Sequence, residues 1–303
     1  MLITNQLSAS QAADIASLEA DCKKAENLMG SIFLSNELNF DPDLPCFYLL
    51  YHPEHPSTLI AFLSIFAPLP TEAEIYAYTA PSYRQKGYFC TLLRQALLVL
   101  KKYQICDLLF VYEPNARSFA SVLKKIDALY QYSEYLMKRH PSHFVSRTLP
   151  TGLSLLPASK IELKQLAKLH AAAYHLSQSS SRQLLSDIFA SEHTFARKLV
   201  IGNHKELVGI CFFTVGKNEL SILAVAVHPA HQRNGYALAM LHALFQELLA
   251  IYPQLPITLE VNSRNTAAFT LYQKLGFQIT SQVDYSYIDR DQLFDKLYTT
   301  STD

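Results

Sequence analysis

The chain contains the same local pattern twice, and this repeat restricts its fold more than any other feature of the sequence. An apolar run, Ile222 to Val227, leads into the polar turn HQRNGYA around Gly235, and an apolar helical pattern begins at once. The turn YRQKGYF around Gly87 lies 148 residues earlier. A proline six residues before and a tyrosine directly after each glycine also correspond. Self-similarity at a fixed spacing is typical of a duplicated structural unit.

The repeat divides the 303 residues into two units of about 150 residues, a common domain size. Beyond the glycine turns the spacing becomes 150 residues, so Asn115 corresponds to Asn265 and Lys124 to Lys274. The segment RHPSHFVSRTLP shows no helical periodicity and contains two prolines. The sequence therefore predicts domains at residues 1–147 and 148–303, with the junction near Val145 to Pro150.

Helical and strand patterns alternate along the second unit, which predicts a mixed α/β (α+β) fold with a central mixed sheet flanked by helices. An amphipathic helix is expected at about 159–174, with an apolar face that includes Ile161, Leu166 and Leu169. Gly202-Asn203 is expected to join two strands. A last strand pair that includes DYSYI (284–288) is expected to close the unit. The remaining predictions are strands near 197–201, 207–215, 222–227 and 257–261 and helices near 236–251 and 266–275.

Composition excludes several classes of protein. Half of the residues are apolar, 17% are charged, and lysine plus arginine equals aspartate plus glutamate, so no overall basic field exists for nucleic acid. The five cysteines are scattered without a C-x-x-C pair, which favours reduced thiols over a metal site. No signal-peptide pattern and no membrane-length apolar run occurs in the sequence. We therefore expect a cytoplasmic protein without a metal, a nucleic-acid partner or a membrane contact.

The glycine turn before a helix has the character of an anion site. The start of a helix presents unpaired N–H groups and the positive end of its dipole, and a glycine lets the backbone approach a ligand closely. Gln232 and Arg233 add an amide donor and a charge. These residues predict a phosphate site, and a tight turn with solvated polar residues is the alternative.

Two motifs of the second unit resemble those of the GCN5-related N-acetyltransferases (GNAT). QRNGYA resembles the family's pyrophosphate loop [Q/R]-x-x-G-x-[G/A], and NTAAFTLYQKLGF resembles its N-x-x-A-x-x-L-Y-x-x-x-G-F segment. The resemblance implies two tandem GNAT-like domains and acetyl-CoA as the cofactor. It also implies that the backbone of the preceding strand pairs with the pantetheine arm. The implied cofactor-binding residues are Ala224, Val225, Ala226, Val227, Gln232, Arg233, Asn234, Gly235, Tyr236, Ala237 and Asn265.

The same resemblance implies an acid and a base. Tyr272 stands at the family's general-acid position, and a half-buried aromatic of the helix is its structural alternative. Glu260 lies twelve residues earlier, as in the ribosomal-protein N-terminal alanine acetyltransferases, where the strand glutamate is the base. A solvent-facing residue at the strand edge is the alternative for Glu260. His228 and His231 are weaker candidates for the base because they lie in or beside the turn.

The first unit departs from this pattern. Its turn offers a second candidate cofactor site at Arg84, Gln85, Lys86, Gly87 and Tyr88. However, Phe89 replaces the small residue of the loop. At a spacing of 150 residues, Phe110 and Val122 correspond to Glu260 and Tyr272, and neither side chain transfers protons. We expect a degenerate first domain, and this overall plan resembles mycothiol synthase.

Three functions remain after these arguments. The leading hypothesis is an acetyl-CoA-dependent N-acetyltransferase that acts on a primary amine, either of a small molecule or at a peptide α-amine. A glutamate has a reference pKa of about 4.3, far below that of a lysine ammonium, about 10.4, and nearer to that of an α-ammonium, about 7.8. A glutamate base therefore suits an α-amine better than a lysine side chain. The alternatives are a non-catalytic acyl-CoA-binding or regulatory module, and a small-molecule synthase of the mycothiol-synthase type.

Overall fold

The computed structural model describes residues 1–32, 34–141 and 149–299. The first half of the chain forms β1 (Leu2–Thr4), α1 (Ala9–Glu26), β2 (Phe47–Tyr51), β3 (Leu59–Phe66), β4 (Glu72–Thr79), α2 (Tyr88–Lys102), β5 (Asp107–Tyr112), α3 (Arg117–Lys125) and β6 (Leu129–Arg139). The second half forms β7 (Leu153–Ala158), α4 (Leu163–Tyr174), α5 (Gln178–Ala190), β8 (Thr194–Ile201), β9 (Glu206–Val215), β10 (Leu220–Val227), α6 (Tyr236–Ile251), β11 (Ile257–Asn262), α7 (Thr266–Lys274), β12 (Gln278–Asp289) and α8 (Arg290–Thr299). The predicted mixed α/β class is confirmed.

Two compact units make up the fold. The first unit comprises Met1–Ser133 with Ser281–Asp303, and the second comprises Glu134–Thr280. In the first unit the strand order is β1-β2-β3-β4-β5-β12, and in the second it is β6-β11-β10-β9-β8-β7. Each sheet is mixed, because β4 and β5 are parallel, as are β10 and β11, whereas the other pairs are antiparallel.

Each half of the chain contributes a late strand to the other unit. β6 pairs with β11, with Tyr135 opposite Val261, and β12 pairs with β5, with Tyr285 opposite Val111. The prediction that DYSYI closes the second unit is therefore wrong, because this segment lies in the first unit. The two strands follow corresponding helices and share the same pattern, so the sequence does not distinguish their partners. The predicted boundary between residues 147 and 148 lies outside the described residues, and the limits 1–147 and 148–303 stay a prediction.

The second unit has a core on each face of its sheet. On one face, α6 packs against β11 and α7; on the other, α4 and α5 cover β9 and β10. The predicted helix at 159–174 begins at Leu163, because Ser159 caps a 3-10 turn over Lys160–Glu162. Ile161 lies in that turn and is 96% exposed, so its predicted place on the apolar face is wrong, whereas Leu166 and Leu169 are buried as predicted.

The first unit also has helices packed on its sheet, and it includes the last helix, α8. The helices α1 and α2 cover its sheet, and α8 packs against α2. Leu293 and Leu297 of α8 are buried in this core, and the guanidinium of Arg94 donates to the carbonyl of Leu297 at 2.8 Å. Among the helices that the structure describes, none combines the length and apolarity needed to cross a membrane.

Candidate active site

The turn between β10 and α6 has open space in front of it. Gly235 has φ 77° and ψ 4°, a left-handed conformation that glycine adopts without strain, and a Cβ at this position would meet nothing within 4 Å. Arg233, two residues before Gly235, also has a left-handed backbone conformation, with φ 67°. The first N–H groups of α6 follow this turn directly. An anion could therefore approach the start of α6 without obstruction.

Two of the predicted cofactor residues brace the turn. The Nε2 of Gln232 donates to the carbonyl of Val227 at 3.1 Å, and the Nδ2 of Asn234 donates to the carbonyl of His231 at 3.2 Å. These bonds fix the path of the backbone from the strand into the helix. The amide of Gln232 thus acts within the turn, whereas the side chain of Arg233 is exposed.

The strand before the turn carries a β-bulge. Leu223 lies opposite Phe212 and Ala226 lies opposite Ile210, so β10 has one residue more than β9 over this interval. Ala224 has φ 49°, a left-handed conformation that is uncommon for a residue with a Cβ. A bulge leaves its extra residue outside the regular ladder and bends the strand. The predicted pantetheine-binding segment, residues 224–227, therefore begins in the irregular part of β10 and continues into its paired end.

A tyrosine that the sequence analysis missed lies at this bulge. The hydroxyl of Tyr174, the last residue of α4, donates to the carbonyl of Val225 at 3.0 Å. Its ring stacks on His170, with 4.4 Å between the ring centroids, and the Nδ1 of His170 lies 3.1 Å from the Oγ of Ser181. The only sequence signal was a histidine and a tyrosine four residues apart on one helix, a spacing that also occurs in ordinary cores.

Tyr272 projects from α7 into the core of the second unit. Its side chain is 7% exposed, packs in the cluster that contains Leu259 and Val261, and contacts the ring of Phe277 edge-on at 5.9 Å between centroids. Burial raises the pKa of Tyr272 well above its usual value, and the nearby hydroxyl of Tyr174 raises it further. The phenol is therefore held in its protonated form, which is the form a general acid requires.

Glu260 and Tyr272 lie on opposite faces of β11. Leu259 and Val261 are buried in the cluster with Tyr272, whereas Glu260, between them, is exposed, as strand alternation requires. In the sheet Glu260 is opposite Leu136 of β6. The tyrosine thus faces the protein core and the glutamate faces solvent.

Asn265 and the two histidines have structural partners. The side chain of Asn265 accepts from the N–H of Ala268 at 3.1 Å, so Asn265 is the N-cap of α7. The Nδ1 of His228 accepts from the N–H of Ala230 at 3.3 Å. The Nε2 of His231 lies 3.1 Å from the Oε1 of Glu206, and both histidines line a cleft of about 360 Å³. Both histidines therefore support the turn rather than the bulge.

The first unit keeps the turn but not the bulge. Gly87 has φ 81° and ψ −1°, and a Cβ there would also meet nothing within 4 Å. The pairing of β4 with β3 is regular from Thr79 opposite Ala61 to Glu74 opposite Phe66. The backbone of β4 therefore remains within the ladder where that of β10 leaves it.

The structure corrects the correspondence between α3 and α7. Ala116 has the same capping conformation (φ −73°, ψ 66°) as Asn265 (φ −85°, ψ 66°), so the helices correspond at a spacing of 149 residues, not 150. The counterpart of Tyr272 is Leu123, which is buried, rather than Val122. The reason is that four residues join β5 to α3 whereas three join β11 to α7. Asn115 precedes the cap and donates to the carbonyl of Asn27 at 3.4 Å.

The arginine of the first turn is paired within the protein. The Nε of Arg84 donates to the carbonyl of Thr79 at 3.1 Å, and its Nη1 lies 2.9 Å from the Oε2 of Glu26. Glu26 also accepts from the N–H of Ser118 at 2.8 Å, at the start of α3. The Nζ of Lys86 lies over the ring of Tyr83, at 5.2 Å from its centroid. The charge of Arg84 is thus already matched by a carboxylate.

The described residues contain no group of histidine, cysteine and carboxylate side chains that could hold a metal ion. The five cysteines are free: Cys22, Cys46 and Cys211 are buried, Cys90 is half-buried and Cys106 is exposed. Burial raises the pKa of Cys46 to about 11 and that of Cys211 to about 12, so both remain thiols at neutral pH.

Known proteins share both the sequence pattern and the fold. A model of the acetyltransferase (GNAT) family matches residues 163–277. Residues 163–277 thus form a GNAT acetyltransferase domain, which makes the chain an enzyme of the acyltransferase class; enzymes with this domain use acyl-CoA and act on amine acceptors. A search of curated proteins found no match.

Solved structures extend the likeness to both units. A GCN5-related N-acetyltransferase from Sphaerobacter thermophilus has a TM-score of 0.74 at 14% identity and covers 94% of this chain and 95% of its own. A tandem GNAT protein from the clavulanic acid biosynthesis pathway has a TM-score of 0.68 at 14% identity, with coverage of 95% and 98%. A GNAT-family acetyltransferase from Colwellia psychrerythraea has a TM-score of 0.60 at 12% identity, with coverage of 95% and 100%. The tandem GNAT fold is confirmed.

Proposed function

We propose that the protein is an acetyl-CoA-dependent N-acetyltransferase whose chemistry takes place in the second half of the chain. The observation that carries this proposal is the bulge of β10 at Ala224, which lies directly before the open turn at Gly235 and beside Tyr174. A thioester cofactor with a pyrophosphate needs both features, because one end is anionic and the other is an amide-containing arm.

In this proposal, the turn holds the pyrophosphate and the strand holds the arm. The N–H groups at the start of α6 and the guanidinium of Arg233 bind the phosphates, since both favour negative charge. The pantetheine arm lies along residues 224–227 and pairs with their backbone as an added strand does. The reactive thioester then lies near the bulge.

The acid is Tyr272. The amine nitrogen of the acceptor attacks the thioester carbonyl carbon, the C–S bond breaks, and the leaving thiolate takes a proton from the phenol. The reference pKa of tyrosine, about 10, lies above that of a thiol, about 8.5, and burial raises it further, so this transfer is uphill and the phenolate regains its proton from water before the next turnover. Burial keeps Tyr272 protonated until the thiolate forms.

The base is Glu260. Because this side chain is exposed on the face of β11 away from Tyr272, it takes the proton of the amine from the solvent side, through one water molecule if the acceptor does not reach it directly. Proton donor and proton acceptor are then separated by the strand.

The first unit is catalytically silent in this proposal. Leu123 of the first unit corresponds to the acid Tyr272, and Phe110 corresponds to the base Glu260. In addition, β4 has no bulge. The carboxylate of Glu26 already neutralises the positive charge of Arg84 that a pyrophosphate would need. We therefore assign the second candidate cofactor site, residues 84–88, no role in turnover.

The test is release of coenzyme A from acetyl-CoA in the presence of peptides, polyamines, aminoglycosides or amino sugars. Turnover with one class of amine supports the proposal and names the acceptor. Binding of acetyl-CoA without turnover on any amine would favour the non-catalytic module instead. Loss of binding in the Gly235→Val variant, but not in Gly87→Val, would place the cofactor in the second half.

A further inference from the structure

The carbonyl of Val225 accepts a hydrogen bond from a side chain at the bulge, where β10 is not paired with β9. Val225 and Ala224 lie between the paired residues Leu223 and Ala226, and the hydroxyl of Tyr174 donates to that carbonyl at 3.0 Å. A hydrogen bond from α4 therefore holds one peptide group of the bulge. The cofactor arm is proposed to pair with this same segment, so its geometry matters for binding.

The bulge needs such support because Ala224 is strained. Its φ of 49° lies in the left-handed region, which residues other than glycine keep only where the surroundings hold them. Paired residues of β9 restrain the strand on both sides of the bulge. Between those pairs, the bond from Tyr174 restrains the next peptide group.

Tyr174 is itself held by a buried histidine, which in turn contacts a buried serine. Its ring stacks on that of His170, with 4.4 Å between centroids and 22° between the ring planes. His170 is 2% exposed and its Nδ1 lies 3.1 Å from the Oγ of Ser181, which is fully buried on α5. The hydroxyl of Tyr174 thus lies at the end of a fixed series of contacts from α5 through α4 to β10.

The first unit offers an internal comparison. The left-handed residue after α1, Asn27 (φ 55°), corresponds to His175 (φ 56°) after α4, so Glu26 stands where Tyr174 stands. Glu26 binds Arg84 and the start of α3 instead of a strand carbonyl. The adjacent strand β4 is regular. Of these two corresponding strands, only β10, which lies beside Tyr174, is bulged.

We propose that Tyr174 is a positioning residue for acyl-CoA, which acts through the carbonyl of Val225 to hold the bulge in the shape that presents the backbone of β10 to the pantetheine arm. This inference rests on the proposed function, since it concerns the same cofactor. Tyr174 is a positioning residue because its hydroxyl contacts the strand.

Coenzyme A binding to the full chain, measured by calorimetry, tests the proposal. The Tyr174→Phe variant removes the hydroxyl and keeps the ring stack on His170. Its Kd for coenzyme A should rise by about threefold to tenfold, the effect of one neutral hydrogen bond. The KM for acetyl-CoA should rise with it, and kcat should remain within about twofold. Tyr252→Phe, a half-buried tyrosine of the same unit, is the matched control and should bind as the wild type does.

A second substitution separates positioning from packing. Glycine adopts left-handed φ without strain, so Ala224→Gly in the Tyr174→Phe background should restore most of the lost affinity. An unchanged Kd in Tyr174→Phe would overturn the proposal. A lowered affinity that Ala224→Gly does not restore would overturn it also, because the loss would then come from packing. No coenzyme A binding by the wild type would overturn the proposed function and, with it, this inference.

Discussion

Glu26 and Arg84 form an ion pair at 2.9 Å at the position in the first unit where the second unit has Tyr174 and Gln232. Both Arg84 and Gln232 donate to the last carbonyl of the preceding strand, so the turns are built alike. The carboxylate of Glu26 changes what the first turn can bind, because it supplies the negative charge itself.

Removal of this carboxylate should destabilise the first unit. The Glu26→Ala variant loses the ion pair with Arg84 and the acceptor for the N–H of Ser118 at the start of α3. We expect the free energy of unfolding to fall by about 1 to 3 kcal/mol, since a lost cap and a lost charged hydrogen bond each contribute on this scale. Chemical denaturation measures the effect, with Asp21→Ala, an exposed carboxylate of the same helix, as the control. Equal stability of the two variants would show that the pair is only a surface contact.

The two glycine turns form a matched pair for the cofactor site. Gly235 and Gly87 have φ of 77° and 81° and equally open surroundings, so valine imposes the same strain at both. Gly235→Val should abolish or strongly weaken acetyl-CoA binding and turnover, whereas Gly87→Val should preserve both. Calorimetry and steady-state kinetics on folded protein check this difference. Loss of turnover in Gly87→Val alone would assign the chemistry, or its control, to the first unit.

Tyr272→Phe should lower kcat by about 10²- to 10⁴-fold with the affinity for acetyl-CoA nearly unchanged, because only a proton donor is lost. Steady-state kinetics at a saturating concentration of acetyl-CoA measure the change in kcat. A wild-type rate in this variant would remove Tyr272 from the proton transfer.

The raised pKa of Tyr272 predicts how stability and kcat depend on pH. Burial favours the neutral phenol in the folded state, so the folded protein retains this proton at pH values where the unfolded chain, with a tyrosine pKa of about 10, loses it. The contribution to stability is therefore constant below about pH 10 and falls only above it. Ionisation of Tyr272 should cause no alkaline fall in kcat between about pH 7 and pH 9. A fall in that interval that Tyr272→Phe removes would contradict the burial argument.

Glu260→Gln should lower turnover without a change in coenzyme A affinity, since the amide keeps the shape of the side chain but accepts no proton. Glu192→Gln, an exposed glutamate of the same unit, is the matched control and should be neutral. Equal rates in the two variants would show that Glu260 is a solvent-facing residue of β11 and that another group or water takes the proton.

Local patterns in the sequence were sufficient for most elements of the second unit, although they did not predict β7 and α5. The helix predicted at 236–251 was found over those residues, and the helix predicted at 266–275 is α7, which ends at Lys274. The strands at 197–201, 207–215, 222–227 and 257–261 lie within β8, β9, β10 and β11. Periodicity, glycine and capping residues act over a few residues, so a single sequence carries them.

The sequence alone determined the duplication, the mixed α/β class, the glycine turns and the motifs that identify the acyltransferase class. Tertiary structure alone decided that residues 134–139 of β6 and 281–289 of β12 lie in the opposite units, that β10 is bulged at Ala224 where β4 is regular, and that Tyr174 reaches Val225. The physical reason is that strand partners, registers and hydrogen bonds between distant residues depend on which surfaces meet. Two strands with the same pattern present the same local signal, and only the packing of the whole chain selects the partner of each.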